Sequence, residues 1–328
     1  MSLVCFTIKM HWEPFCNSNT WVIDDRSLKE QLLSKIRNWW NSFECNIFPG
    51  PQPISIERKH MQILRNESFW VCAKTDGVRY ILACVAHNGN NYCFLINRKK
   101  DIFLLNFTMP VELFLGTVLD GELVKTHSGM YDFLVYDCVI YNGISMTQSP
   151  HSERIRVASQ VCSSIVTQSS PFSLHAKVFY DFKQMESYVD SVVPTLNHNT
   201  DGYIFTPETD PIRSGTHNNM FKWKEQSKNT VDFLVERNYN RTLQNPYMYV
   251  LKISKGRGCV VVHGACFQNP QQLDLHKNAI VECEFNGQNT WSALLIRTDK
   301  SHANNFLTYQ KTLLNIKENI QVPEFFQG

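Results

Sequence analysis

The chain has 328 residues, which is long enough for two domains. Hydrophobic residues make up 43% of it and aromatic residues 12%, so the composition argues for a buried core and against wholesale disorder. Its 32 Lys and Arg nearly balance its 30 Asp and Glu, which excludes a protein that coats nucleic acid by bulk charge but leaves room for a local basic cleft.

The cysteine pattern and the N-terminus bear on the compartment. The 11 cysteines are odd in number and include no C-x-x-C pair, so we predict reduced thiols in an intracellular protein rather than a disulfide framework or a zinc ribbon. Cys72, Cys84, Cys93 and Cys138 lie in apolar runs and are expected to act as small core residues. The N-terminus lacks a basic segment followed by an apolar one, so no signal peptide is expected.

The first two thirds of the chain predict a strand-rich domain with three helices. Ser27 and Glu30 have capping-box spacing and predict the first helix, and a proline-rich connector follows at 48–56. Pro150 begins the second helix, and Asp181 caps a third that extends to about Val193. Six short apolar runs predict strands at Phe69–Lys74, Arg79–Ala86, Tyr92–Asn97, Ile102–Leu105, Phe114–Leu119 and Tyr131–Ile140.

The pattern changes near residue 229. About five short strand-like runs follow and predict a small closed β-barrel. The chain then ends in a helix whose apolar residues recur three and four apart. We therefore predict a first domain at 1–228, rejoined by the C-terminal helix at 304–328, and a barrel at 229–303. The barrel strands are expected at Val231–Glu236, Tyr247–Ile253, Cys259–Val262, Ala279–Phe285 and Trp291–Arg297.

The sharpest local signal is the hexapeptide Lys74-Thr75-Asp76-Gly77-Val78-Arg79, which lies between two predicted strands. On its own it is also compatible with a hairpin in which Asp-Gly is merely a good turn. The hexapeptide resembles the nucleophile motif of the covalent nucleotidyltransferase superfamily, which comprises mRNA capping guanylyltransferases and polynucleotide ligases.

The resemblance continues, in order, through the further motifs of that superfamily. It is closest to the stand-alone guanylyltransferases of chlorella viruses, and it implies a two-domain α+β fold. That fold has an antiparallel-sheet catalytic domain of the ligase type (ATP-grasp-like) and a C-terminal OB-fold β-barrel. The matching segments are Leu119–Leu123, Tyr131–Asp137, Asp201–Phe205, Lys222–Lys224 with Val231–Phe233, and Arg297–Lys300.

The resemblance implies that Lys74 attacks the α-phosphate of GTP and forms a lysyl–GMP phosphoramidate. Only the neutral amine is a nucleophile, and the pKa of a free lysine is near 10.4, so nearby cations and partial desolvation must favour loss of the proton. Because the leaving group is pyrophosphate, negative charge has to be stabilised on both sides of phosphorus.

The metal and phosphate ligands follow from the same resemblance. Glu122 and Asp201 are the candidates for holding Mg²⁺ or Mn²⁺, since hard cations bind carboxylate oxygens. In isolation each would be read as a turn acid beside a glycine. Lys222 and Lys224 alternate along a predicted strand and would grip the α-phosphate, unless they only form a solvated strand face.

The remaining implied contacts concern the nucleoside and the outer phosphates. Tyr136 resembles the aromatic residue that stacks on guanine, the alternative being a core aromatic. Lys177 lies where a lysine would donate to guanine O6 and so favour guanine over adenine. An arginine expected shortly before Lys222 is missing; either Arg213 substitutes for it or one phosphate contact is absent. The other members of the implied GTP site are Thr75, Arg79, Arg98 and Asp232, together with Arg297, Asp299 and Lys300 on the barrel for the β- and γ-phosphates. The alternative for the three barrel residues is a surface ion pair at a strand end.

These observations predict an mRNA guanylyltransferase that transfers GMP from GTP to 5′-diphosphate RNA. The alternatives are an ATP-dependent polynucleotide ligase and a non-catalytic RNA-binding protein of the same fold. We expect a monomer without a membrane segment. Because two domains use nearly the whole chain, we also expect the RNA triphosphatase and the cap methyltransferase to be separate proteins. The resemblance further suggests a large DNA virus as the source and an intracellular site of action.

Overall fold

The computed structural model describes residues 8–40, 48–167, 170–239, 248–298 and 300–327. The chain divides into two compact units. The first unit contains residues 1–54 and 62–222, and the second contains residues 55–61 and 223–328. No helix among the described residues is long and apolar enough to cross a membrane.

Among the described residues before position 224 there are fourteen strands, and they form two sheets. The larger sheet has the order β1-β2-β7-β6-β5-β8-β9-β10, with β11 paired in parallel to β9, and the smaller has the order β12-β4-β13-β14-β3. The strands are β1 (Met10–Phe15), β2 (Ser18–Ile23), β3 (Pro51–Ser55), β4 (Phe69–Thr75), β5 (Val78–His87), β6 (Asn90–Ile96), β7 (Ile102–Leu104), β8 (Thr117–Lys125), β9 (Tyr131–Tyr141), β10 (Ile144–Ser145), β11 (Ser173–Ala176), β12 (Tyr180–Asp181), β13 (Thr200–Pro207) and β14 (Gly215–Trp223).

The helices confirm the predicted positions but correct their caps. Asp25, rather than Ser27, caps the first helix, because its carboxylate accepts a hydrogen bond from the Leu28 amide at 2.9 Å. Pro150 precedes α3 (His151–Ser164), the second of the predicted helices, instead of forming its first residue, and the short α2 (Met61–Asn66) was not predicted. The helices are α1 (Arg26–Trp39), α2 (Met61–Asn66), α3 (His151–Ser164), α4 (Met185–Ser191) and α5 (Phe306–Glu318).

One predicted strand is wrong. The run Phe114–Leu119 divides at Gly116, whose φ of +131° suits glycine alone. A 3₁₀ helix at Val111–Leu115 precedes it, and β8 begins at Thr117. A Cβ at Gly116 would lie 2.6 Å from the ring of Trp39, so the turn is also fixed by close packing.

The buried cysteines confirm their predicted role as core residues. Cys72, Cys84, Cys93 and Cys138 are all at most 5% exposed. Cys84 and Cys93 are directly opposite one another on β5 and β6, with their sulfurs 3.6 Å apart. The nine cysteines among the described residues are free thiols.

The second unit has a six-stranded sheet in the order β17-β16-β15-β19-β20-β18. This hydrogen-bonded order begins at β17 and ends at β18, so the predicted barrel closure is not formed among the described residues. The two terminal strands are only four and three residues long, which limits further pairing. The strands are β15 (Thr230–Arg237), β16 (Tyr249–Lys255), β17 (Gly258–Val261), β18 (Cys266–Gln268), β19 (Ala279–Phe285) and β20 (Thr290–Ile296).

The C-terminal helix α5 packs on the six-stranded sheet of the second unit, whereas the sequence predicts that this helix rejoins the first domain. The ring centroid of Tyr309, on α5, is 5.9 Å from that of Phe233 and 6.2 Å from that of Trp291. Ile316 of α5 belongs to the same core cluster. The helix therefore covers the apolar face of the six-stranded sheet and completes the core of the second unit.

Substitution of Trp291 with alanine tests this core. Trp291 is fully buried and lies 4.9 Å, centroid to centroid, from Phe233. Deleting a buried aromatic side chain costs roughly 3–5 kcal/mol, so Trp291→Ala is expected to lower the free energy of unfolding by about that amount. The measurement is denaturant unfolding followed by circular dichroism. Leu295→Ala, on the same strand at 46% exposure, is the control; equal losses for both variants would contradict the packing.

Candidate active site

A cavity of about 310 Å³ lies in the first unit and is lined by both of its sheets. It brings together eight of the residues that the sequence places in the nucleotide site: Lys74, Thr75, Arg79, Arg98, Glu122, Tyr136, Lys177 and Lys222. These residues come from strands and connections that are up to 148 positions apart in the sequence, counting from Lys74 to Lys222. Arg213 is not among the described lining residues, so its predicted role as a substitute arginine gains no support.

Lys74 is positioned by the pairing of β4 with β13. The register pairs Thr75 with Thr200 and Lys74 with Gly202, which leaves Asp201 as the extra residue of a bulge. A bulge redirects the side chain of its extra residue. The Lys74 ammonium nitrogen lies 2.7 Å from Asp201 Oδ1, and the two side chains are 23% and 14% exposed. The proposed nucleophile and one proposed metal ligand therefore form an ion pair at the cavity wall.

Thr75 connects two other predicted residues to the same place. Its hydroxyl donates to Glu122, and it accepts a hydrogen bond from Lys177 Nζ at 3.1 Å. Thr75 itself has no exposed surface. The residue next to the nucleophile thus holds both the second metal candidate and the lysine predicted to contact the base.

Arg79 is fixed by a buried carboxylate. Its Nε donates to Asp120 Oδ1 at 2.9 Å, its Nη2 donates to Asp120 Oδ2, and its Nη1 donates to the Pro51 carbonyl at 2.9 Å. Burial is the largest single influence on the pKa of Arg79 and would lower it. The charge of Asp120, the hydrogen bonds to it and the neighbouring Tyr136 and Glu122 together outweigh burial and raise this pKa. The guanidinium is therefore permanently cationic and points in one direction.

Tyr136 belongs to the same group. Its hydroxyl donates to Asp120 Oδ1 at 2.7 Å, and its ring centroid lies 5.8 Å from the Arg79 guanidinium carbon. Asp120 therefore holds both a predicted phosphate or ribose ligand and the predicted stacking ring. The motif Leu119–Leu123 contains Asp120 without indicating this role, although an acid in the middle of an apolar strand is a signal of it.

A second buried pair, at Asp137 and Arg154, was also missed. Arg154 Nε donates to Asp137 Oδ1 at 2.8 Å, and neither side chain is more than 3% exposed. His151 lies beside them, lines the cavity, and is 1% exposed. Burial, reinforced by the charge of Arg154, lowers the pKa of His151 to about 3. Spacing in the sequence gives no signal for this cluster, because the strand and the helix that carry it meet only in the fold.

The remaining predicted residues lie in the second unit. Asp232 binds both Arg297 and Lys300 there. Asp299 lies outside the described residues. Strand β14 ends at Trp223, so the predicted alternation of Lys222 and Lys224 along one strand is wrong: Lys224 follows the strand. The structure thus groups Asp232, Arg297 and Lys300 with one another.

The fold and the lysine-centred cavity define the class of protein. An antiparallel-sheet unit presents a lysine at a strand end, with arginines, a second lysine and carboxylates around it, and a smaller strand-rich unit follows. These are the features of a nucleotidyltransferase, as the sequence predicts.

Comparison with protein families identifies the particular family. Residues 19–226 match the model "mRNA capping enzyme, catalytic domain", and residues 228–326 match "mRNA capping enzyme, C-terminal domain". The chain therefore belongs to the mRNA capping enzyme family, and its activity is that of a GTP:RNA guanylyltransferase.

Individual relatives agree with this assignment. The "mRNA-capping enzyme subunit alpha" of Schizosaccharomyces pombe is 27% identical over 83% of this chain and 77% of its own length. The Neurospora crassa protein of the same name is 28% identical over 86% and 84%, and the Caenorhabditis elegans "mRNA-capping enzyme" is 26% identical over 89% and 50%. These relatives are fungal and animal, so the expected viral source is not supported.

The buried His151 predicts a pH dependence of stability. Its folded-state pKa of about 3 lies below the ordinary value of 6.5, so unfolding takes up a proton between these limits. Its contribution to stability is complete above pH 6.5 and is lost as the pH falls toward 3, by about 1.4 kcal/mol per pH unit inside the window.

Denaturant unfolding at pH 7.5 and pH 5 measures this loss. His151→Phe is expected to reduce the difference in unfolding free energy between the two pH values. The same substitution at the exposed His276 should leave the wild-type difference intact. An undiminished pH dependence in His151→Phe would show that His151 is not neutral in the folded protein.

Proposed function

We propose that Lys74 is the covalent nucleophile of this guanylyltransferase. The observation that carries the proposal is the position of Lys74 at the cavity wall, ion-paired with Asp201 at 2.7 Å. The deprotonated amine attacks the α-phosphorus of GTP; an N–P bond forms, and the bond to the bridging oxygen of pyrophosphate breaks. A terminal oxygen of 5′-diphosphate RNA then attacks the same phosphorus, and the lysine leaves.

The cations on the cavity wall suit the charge that this reaction develops. Arg79, Arg98 and Lys222 line the cavity together with Lys74. Fixed cations stabilise negative charge on the α-phosphate and on the leaving group, which is the main demand of phosphoryl transfer. Because Asp120 already orients Arg79, little reorganisation is needed when the nucleotide arrives.

The base is proposed to bind against Tyr136, near Lys177. A Tyr ring that is held by its hydroxyl presents a face of fixed orientation for stacking. Lys177 Nζ is a donor only, so it can serve guanine O6, whereas the exocyclic group of adenine is itself a donor. Thr75, which accepts from Lys177, connects this end of the cavity to the nucleophile.

Glu122 and Asp201 are proposed as the protein ligands of Mg²⁺ or Mn²⁺. Among the described residues no group of three or more His, Cys, Asp or Glu side chains forms a ready metal cage. Two carboxylates nevertheless fit, because Mg²⁺ commonly binds one or two of them and completes its shell with water and substrate phosphate. The ion would supply positive charge beside the α-phosphate.

The proposal also covers the residues that bind the outer phosphates of GTP and the enzymes that act before and after this one. Lys224 would contact the α-phosphate together with Lys222. Arg297, Asp299 and Lys300 of the second unit would bind the β- and γ-phosphates, and Asp232 pairs with Arg297 and Lys300. An RNA triphosphatase activity would have to supply the 5′-diphosphate RNA end, and a cap methyltransferase would act afterwards. The name "subunit alpha" of the fungal relatives supports a partner subunit. We further propose an intracellular place of action.

Replacing Lys74 tests the nucleophile. Lys74→Arg keeps a positive charge beside Asp201 but provides no neutral amine, because arginine stays protonated. Both Lys74→Arg and Lys74→Ala are therefore expected to abolish transfer of label from α-³²P-GTP to the protein on a denaturing gel. Lys125→Ala, an exposed lysine of the same unit, is the control. Labelling of either Lys74 variant would refute the assignment.

Nucleotide choice tests the role of Lys177. The wild-type protein is expected to be labelled by GTP and not by ATP. Lys177→Met removes the donor and should lower the labelling efficiency with GTP relative to ATP by roughly tenfold to a hundredfold. Lys125→Met should leave the preference unchanged. Labelling of the wild type from ATP alone would instead indicate a polynucleotide ligase, and an unchanged preference in Lys177→Met would remove its proposed role.

A further inference from the structure

Two carboxylates stand directly opposite one another on the sheet of the second unit. Asp232 on β15 pairs in register with Glu282 on β19. Like charges at directly opposed positions of a sheet repel and destabilise the pairing. Asp232 is 4% exposed and the Glu282 side chain is 23% exposed, so water only partly screens this repulsion.

Arg297 compensates the carboxylate pair. Its Nη1 lies 3.2 Å from Asp232 Oδ1 and 3.2 Å from Glu282 Oε2, so one guanidinium nitrogen bridges both acids. Lys300 binds the other oxygen of Asp232. With two carboxylates and two cations, the formal charge of these four side chains balances to zero.

Both acids are anchored independently of the cations. The Thr230 hydroxyl donates to Glu282 Oε1 at 2.7 Å. Asn304 donates from its side chain to Asp232 Oδ2 at 3.2 Å and accepts from the Asp232 amide at 2.9 Å. The carboxylates therefore stay in place when a phosphate draws the cations toward itself, and their repulsion is then exposed.

We infer that Glu282, together with Asp232, competes with pyrophosphate for Arg297 and Lys300 and thereby weakens the hold of the enzyme on this product. The inference rests on the proposed function, in which these cations bind the β- and γ-phosphates. Glu282 touches neither substrate nor product in this account; it is a positioning residue that sets the affinity of Arg297 for phosphate. Its consequence is easier release of pyrophosphate after each lysyl–GMP is formed.

The variant Glu282→Gln isolates the charge. Its amide oxygen can still accept from Thr230, so the local hydrogen bond is retained while the repulsion and the competition for Arg297 are lost. We expect the pyrophosphate concentration that discharges half of the lysyl–GMP to fall roughly twofold to fivefold, the range of a partly exposed ion pair. The KM for GTP should fall in the same direction, without a matching gain in kcat.

Glu236→Gln is the matched control. It removes the same charge from the same sheet, where Glu236 pairs with Lys252 at 2.6 Å, outside the carboxylate pair. Its pyrophosphate and GTP dependence should equal the wild type. Weaker or unchanged pyrophosphate binding in Glu282→Gln would overturn the inference, since a residue that merely orients Arg297 would weaken phosphate binding when neutralised.

Two further measurements keep the test decisive. Thr230→Val removes the hydrogen bond that anchors Glu282 without changing the charge. It should tighten pyrophosphate binding as Glu282→Gln does, but by a smaller factor. If Glu282→Gln does not fold, weaker pyrophosphate binding by Thr230→Val would count against the inference. If the wild-type protein takes no label from GTP, the proposed function fails. Calorimetric titration of the full chain with pyrophosphate then decides the inference by itself, with tighter binding by Glu282→Gln supporting it and equal binding refuting it.

Discussion

The buried ion pair between Arg79 and Asp120 is the constraint on which the nucleotide cavity depends. Asp120 has no exposed surface, and the Arg79 side chain is 11% exposed. A charge so placed is tolerated only when it is paired and hydrogen-bonded, and removing one partner typically costs about 3–5 kcal/mol. Arg79 therefore cannot leave Asp120 without a large penalty, and the cavity is built around its fixed position.

Other parts of the site are arranged around that pair. Tyr136 donates to the same carboxylate oxygen as Arg79 Nε, so the ring and the guanidinium are held in one geometry. Gly50 lies close to Arg79 and Asp120, because a Cβ at this position would approach the Arg79 guanidinium and Asp120 Oδ2. The connector before β3 thereby packs close enough for the Pro51 carbonyl to accept from Arg79. The cation is thus pre-oriented before any nucleotide is bound.

In both units, carboxylates form ion pairs with the cationic side chains of the candidate site. In the first unit Asp120 fixes Arg79, and Asp201 pairs with Lys74; in the second unit Asp232 pairs with Arg297 and Lys300. The partners of these three acids differ in their proposed roles. Asp120 is paired with Arg79 and Tyr136, which keep their positions in the proposed mechanism. Asp201 and Asp232 are paired with cations to which that mechanism gives a role toward the nucleotide, so it requires these two sets of ion pairs to open.

The sequence alone determined the fold class and most strand positions, because short apolar runs and ordered motifs are local properties of a chain. It could also name Lys74, Glu122, Tyr136 and Lys177 as one site, although only through resemblance. The tertiary structure decided what holds them: the bulge that directs Asp201 to Lys74, the burial of Asp120, and the register that sets Asp232 opposite Glu282. These contacts join residues on separate strands, and their strength depends on burial and pairing, which no local pattern of residues encodes.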